Sequence, residues 1–133
     1  MAIDRLLTWP FALFLARLLL VSAYLVGGVQ KLFDWPGAVA EQVQFGLAPP
    51  ALWAALTIIV ELLGSIMVLF DRKGWLGAGM LGVFTILAAF VANDFWTMTG
   101  HDRFMAMNGF FEHLGLAGAF VLAAMISRLH APD

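Results

Sequence analysis

The chain contains no cysteine. Thiol–disulfide exchange, iron–sulfur clusters and disulfide staples therefore lie outside its own chemistry. Charge is nearly as scarce: Asp, Glu, Lys and Arg make up 12% of the 133 residues, against about a quarter in an ordinary soluble domain. The formal net charge of −2 argues against nucleic acid as a partner, which calls for a basic surface. Also missing are a nucleophile-plus-base pattern, a Gly-rich phosphate loop and a dinucleotide fingerprint. Nothing in the pattern assigns the chain a reaction of its own.

What fills the chain instead is apolar. Hydrophobic residues reach 62% and the mean hydropathy is +0.92, more apolar surface than a chain this short can hide from water. A spanning helix needs about 20 mostly apolar residues, and four stretches qualify, over about residues 10–29, 52–70, 75–96 and 109–126. Arg17 interrupts the first run and no small-residue cleavage pattern follows, so it reads as a retained span rather than a signal peptide. The expected fold is all-α, one integral membrane four-helix bundle over residues 1–133. Trp9, Trp35, Trp53, Trp75 and Trp96 fall near the predicted span ends, as an interfacial aromatic belt requires.

Four spans put both termini and the turn at 71–74 on one side. That side carries Arg5, Arg72, Lys73 and Arg128; the other carries Lys31 and Arg103 among five acids, Asp34, Glu41, Asp94, Asp102 and Glu112. The positive-inside rule then makes the termini cytoplasmic. The short turn at 71–74 makes the second and third spans antiparallel neighbours. After the first span, Trp35, Val39 and Val43 recur at helical spacing before Gly46 and Pro49-Pro50 end the pattern, which predicts a short helix lying in the interface.

The stretch TIIVELLGSIMV plants Glu61 in an oily run. A charge at the centre of a spanning helix costs roughly 2.5–3.5 kcal/mol on insertion scales, so intramembrane charges face the bundle interior and pair. Counting from the apolar ends, Arg17 stands about 10 Å and Glu61 about 14 Å above the cytoplasmic surface. That count predicts an Arg17–Glu61 pair. Such a pair serves either as a tie between helices or as a polar patch for a headgroup, a quinone carbonyl or a proton.

Gly74, Ala78, Gly82, Thr85, Ala89 and Ala92 form a small-residue stripe on the third span that admits a close helix neighbour, with internal packing the preferred reading over a second copy. The fourth span has a shorter version in Gly115, Gly118 and Ala119. The outer ends gather Lys31, Asp94, His101, Asp102, Arg103, Glu112 and His113 near Trp96, Phe110 and Phe111, either a solvated rim or a ligand mouth with aromatic walls. No ligand spacing links His101, Asp102, Glu112 and His113, so no metal site is expected. Only His113 of the histidines lies within a span, which disfavours haem.

Taken together, these pieces resemble the DoxX family of small bacterial four-helix membrane proteins. The matching parts are Arg17 early in the first span, GGVQKLFDW with Gly28 and Lys31 at its end, the loop closing on Pro49-Pro50, Glu61-Leu62-Leu63-Gly64, and FFEHLGLAGAFVLA. They run from about residue 12 to about residue 126. Two positions depart: His113-Leu114 stands where similar members carry Lys-Asn, and Asn93-Asp94 where some carry a histidine. The resemblance implies a bacterial inner-membrane location and a range of roles. These include the membrane subunit of a thiosulfate:quinone oxidoreductase, partners in oxidative-stress or thiol-homeostasis complexes and, in distant eukaryotic relatives, cargo receptors or assembly chaperones.

The expectation is an auxiliary membrane subunit of a redox system that binds quinone or a similar amphiphile, with a non-catalytic scaffold as the alternative. Arg17 and Glu61 would hold the buried polar centre, and Lys31, Asp94, Trp96, Glu112 and His113 the outer mouth. Glu61, Glu112 and His113 are the candidates for proton transfer. With no intrinsic redox centre, electrons would come from a partner protein. Membrane lipid and a second copy of the chain are the other expected contacts.

Overall fold

The computed structural model describes residues 1–130. Six α-helices and one short 3₁₀ turn follow in order: α1, Ala2–Leu7; α2, Pro10–Phe33; α3, Trp35–Gln44; α4, Pro50–Leu69; α5, Gly74–Ala92; the turn Phe95–Thr97; and α6, Gly100–His130. Helices α2 and α4 open directly on Pro10 and Pro50, where the fixed φ suits a first turn and the missing N–H is not needed. Asp34 caps α3 by accepting the Gly37 N–H at 3.1 Å. Between α4 and α5 the chain reverses through Asp71 and Lys73, both at φ 51°.

Four of these helices, α2, α4, α5 and α6, are long and apolar enough to cross a membrane. The first extends four residues beyond its expected end, to Phe33, and the last begins at Gly100 rather than near 109. Hydropathy finds the lipid-facing stretch but not the polar turns that continue a helix past it. The helix at 2–7 has no apolar run behind it and no buried residue.

The four spans pack in chain order. Helix α4 sits between α2 and α5, α5 between α4 and α6, and α6 touches α2 only slightly. Helix α3 lies across the outer part of α4 and reaches α2. Glycine sets the α4–α5 distance: a Cβ on Gly77 would stand 2.8 Å from the Gly64 carbonyl oxygen. The small-residue stripe of α5 is internal, with Gly74, Ala78, Thr85 and Ala89 all buried. The core joins Val21, Tyr24, Val68, Ala78, Leu81 and Phe120, and the Tyr24 ring meets Phe120 edge-on at 5.4 Å. Outside it, residues such as Leu19, Val83 and Leu122 stay more than 60% exposed, the inverse of a soluble bundle and the expected state of a lipid-facing surface.

Candidate functional site

Glu61 lies mid-way along α4 and is 5% exposed. Its partner is Lys31, not Arg17. The Lys31 Nζ donates to Glu61 Oε1 at 2.9 Å. Room for this comes from α2: a Cβ on Gly27 would stand 3.0 Å from Glu61 Oε2 and 3.4 Å from Lys31 Nζ, and one on Gly28 would strike the Leu62 side chain at 2.7 Å. The glycine pair thus lets the carboxylate lie against the α2 backbone while Lys31, one turn further along, folds back onto it. Among the described residues, Oε2 has no hydrogen-bond partner.

Arg17 instead meets Asp71 in the α4–α5 turn, Nη2 to Oδ2 at 3.5 Å. The same carboxylate accepts the Ser127 hydroxyl at 2.6 Å through Oδ1. One acid therefore ties α2, the turn and α6 together. A Cβ on Gly74 would stand 3.0 Å from Ser127 Oγ, so the turn needs a glycine there. The expected Arg17–Glu61 pairing fails by about ten residues, roughly 15 Å along the helix. Its premise was that both apolar runs end on one plane. In fact α2 starts beyond the turn, bringing Phe14 beside Phe70 at 6.4 Å between ring centres, so Arg17 is level with Asp71 and Gly27 with Glu61.

A second polar contact lies inside the bundle. The Tyr24 and Thr85 hydroxyls share a hydrogen bond, and Thr85 also donates to the Leu81 carbonyl at 2.6 Å. Nearby on α4, the Ser65 hydroxyl is fully buried and, among the described residues, has no hydrogen-bond partner.

At the expected outer mouth, aromatic rings pack together beside an open groove lined by Asn93, Met98, Asp102, Met105 and Ala106. Phe110 is buried between Phe90 at 5.3 Å, Phe95 at 5.5 Å and Trp96 at 5.7 Å. Arg103 lies over Phe95 at 5.3 Å and donates to its carbonyl at 3.1 Å. Asp94 accepts the Thr97 hydroxyl at 3.1 Å, closing the 3₁₀ turn. His113 Nδ1 bonds the Gly109 carbonyl of its own helix at 2.7 Å, and Glu112 is exposed. Lys31 is committed to Glu61, so these groups do not converge with it. Among the described residues, no group of three or more His, Asp or Glu is arranged to hold a metal ion.

Sequence reasoning missed Lys31 as the partner of Glu61, and it missed Asp71 altogether. Asp71 sits in Asp-Arg-Lys-Gly, which reads as an ordinary polar turn. Gly27-Gly28 was the available signal, since two glycines facing an intramembrane acid mark a place where that acid needs space.

The fold and site define a small integral membrane protein of four spanning helices, with one acid–base pair buried mid-way along α4 and a second at the turn end. The sequence matches the DoxX family over residues 12–94, and the chain belongs to that family. It is 26% identical over 116 residues to the inner membrane protein YphA of Escherichia coli (strain K12), covering 87% of this chain and 83% of that protein. It is also 25% identical over 126 residues to a Surfeit locus protein 4 homolog of Schizosaccharomyces pombe, covering 91% of this chain but 38% of the yeast protein. No solved structure matches.

Proposed function

We propose that this DoxX protein is an auxiliary membrane subunit that holds a quinone or similar amphiphile at the Lys31–Glu61 pair. One observation carries the reading: a buried intramembrane carboxylate keeps Oε2 unbonded beside a glycine, while its other oxygen is held by an ammonium. A quinone carbonyl would accept from Lys31, and the hydroxyl that reduction to the quinol creates would donate to Oε2. Intramembrane ionisable groups of this kind mark ligand or ion sites more often than chance. Glu61 is then the proton-transfer candidate if the bound quinone is reduced. Glu112 and His113 are less suited, being tied to the solvent-side half of α6. Electrons would come from a partner protein. The inner membrane is the proposed location, by likeness to the E. coli relative, with both termini cytoplasmic on the basic residues of the turn end.

The test is mass spectrometry of organic extracts from protein purified in mild detergent, wild type beside Glu61→Gln. Stoichiometric quinone in the wild type, lost in the folded variant, is the expected result. No enrichment over an unrelated four-helix protein overturns it. The rival, a non-catalytic scaffold, draws on a specific observation: two surface grooves are lined by other residues, and neither includes Lys31 or Glu61. On that reading the pair is a helix tie, and the exposed faces of α6 around Gly115 and Gly118 carry the partner.

A further inference from the structure

The open groove at the outer end is framed by the end of α5, the loop after it and the first turns of α6. Asn93 lies against α6 at Gly109, where an added Cβ would stand 2.6 Å from Asn93 Oδ1. From there the chain turns through Phe95–Thr97, and Gly100, at φ 64°, folds it back into α6. This path sets Met98 on the same groove as Asp102 and Met105. On α6, His101 stands four residues before Met105 and Asp102 three before it, so the three side chains share one face. Two thioethers, an imidazole and a carboxylate thus gather on the segment that precedes the apolar run of α6. Arg103, the adjacent cation, is turned away: it lies over the Phe95 ring at 5.3 Å and donates to the Phe95 carbonyl at 3.1 Å. Among the described residues Asp102 makes no ion pair, so its negative charge is left for a bound cation.

We propose that this groove is a binding site for a soft monovalent metal ion, Cu(I), held by the sulfurs of Met98 and Met105 and the imidazole of His101. Asp102 balances the single positive charge. The oxygen and nitrogen donors of this rim do not by themselves make a metal site. The thioethers change what the same segment can hold, because soft sulfur ligands select Cu(I), whereas carboxylates and water suit magnesium or calcium. Met105 is 56% exposed and His101 is exposed, and methionine is flexible, so the donors can close on an ion without disturbing the core. The site shares no residue with Lys31–Glu61. It therefore stands or falls independently of the quinone reading.

The test titrates the full chain, purified in mild detergent and freed of metal, with Cu(I) under reducing, oxygen-free conditions against a chromophoric Cu(I) chelator. Wild type should take up a single equivalent, with Ag(I) competing for it and Zn(II) failing to. Met98→Leu and Met105→Leu keep the side-chain volume. Each should weaken binding by at least about ten-fold, the loss that even an outer group causes at a metal site. Together they should abolish it. His101→Gln should weaken it in the same way, and X-ray absorption of the wild-type complex should show both sulfur and nitrogen on the metal. Met107→Leu, which removes a thioether from the opposite face of α6, should leave the affinity unchanged. Cu(I) held equally by wild type and the Met98→Leu, Met105→Leu double variant overturns the proposal. So does a wild type that yields all its Cu(I) to the chelator, or one from which Zn(II) displaces it.

Discussion

Removing the Lys31 ammonium while keeping Glu61 strands a carboxylate that is 5% exposed. Leaving one member of a buried pair uncompensated costs about 3–5 kcal/mol, so Lys31→Met should lower the thermal midpoint in detergent sharply. The double variant Lys31→Met with Glu61→Leu removes both charges and should recover most of that loss, since a buried ion pair and a well-packed apolar pair differ little in stability. Gly27→Leu should act through the same carboxylate by pushing it off the α2 backbone. At the turn end, Asp71→Asn removes the charge that Arg17 answers while keeping an acceptor for Ser127. Its expected effect is smaller than that of Lys31→Met, because the Arg17–Asp71 contact is longer and closer to water.

Helix contacts in lipid rest on how closely backbones approach, because apolar side chains gain nothing by leaving a hydrocarbon solvent. The glycines of this chain divide on that criterion. A Cβ at Gly77 meets Met67 at 2.7 Å and the Gly64 carbonyl at 2.8 Å, whereas one at Gly115 or Gly118 meets nothing within 4 Å. Gly77→Ala should therefore destabilise the bundle by about 1–3 kcal/mol. Gly115→Ala should be neutral or stabilise by up to about 1 kcal/mol through helix propensity. Equilibrium unfolding in mixed micelles reads both, and loss of a dimer in Gly115→Ala would instead identify that face as an interface. The number of spans and the adjacency of the second and third were legible in the sequence, because apolar run length and the short turn at 71–74 determine them. The stagger of α2 against α4 was not. A lipid-facing run shows no mark of depth along its length, so nothing before the structure places Phe14 beside Phe70.

The whole molecule explains why the tryptophans were readable and the outer rim was not. Trp9, Trp35, Trp53, Trp75 and Trp96 are all partly exposed in the first turn of a helix, just before one or in the 3₁₀ turn, the positions an interfacial aromatic belt calls for. Asp94 bonds within its own turn and His113 within its own helix, so sequence proximity grouped Asp94, Glu112 and His113 without a contact between them. Orientation is testable because the chain lacks cysteine. A single cysteine at Arg72 should react with a membrane-impermeant maleimide only in inverted vesicles, and one at Gln44 only in spheroplasts. The reverse pattern would turn the molecule over.

The central claim is that Lys31 and Glu61 form a ligand anchor and not a tie alone. The most direct measurement exchanges them, Lys31→Glu with Glu61→Lys, and compares the purified variant with wild type for thermal midpoint and bound amphiphile. A tie tolerates the exchange in both respects. The account predicts a folded variant with a near-native midpoint and its quinone or similar amphiphile gone, because the donor and acceptor ends of the anchor have been reversed. A folded variant that retains its amphiphile at the wild-type level would contradict it.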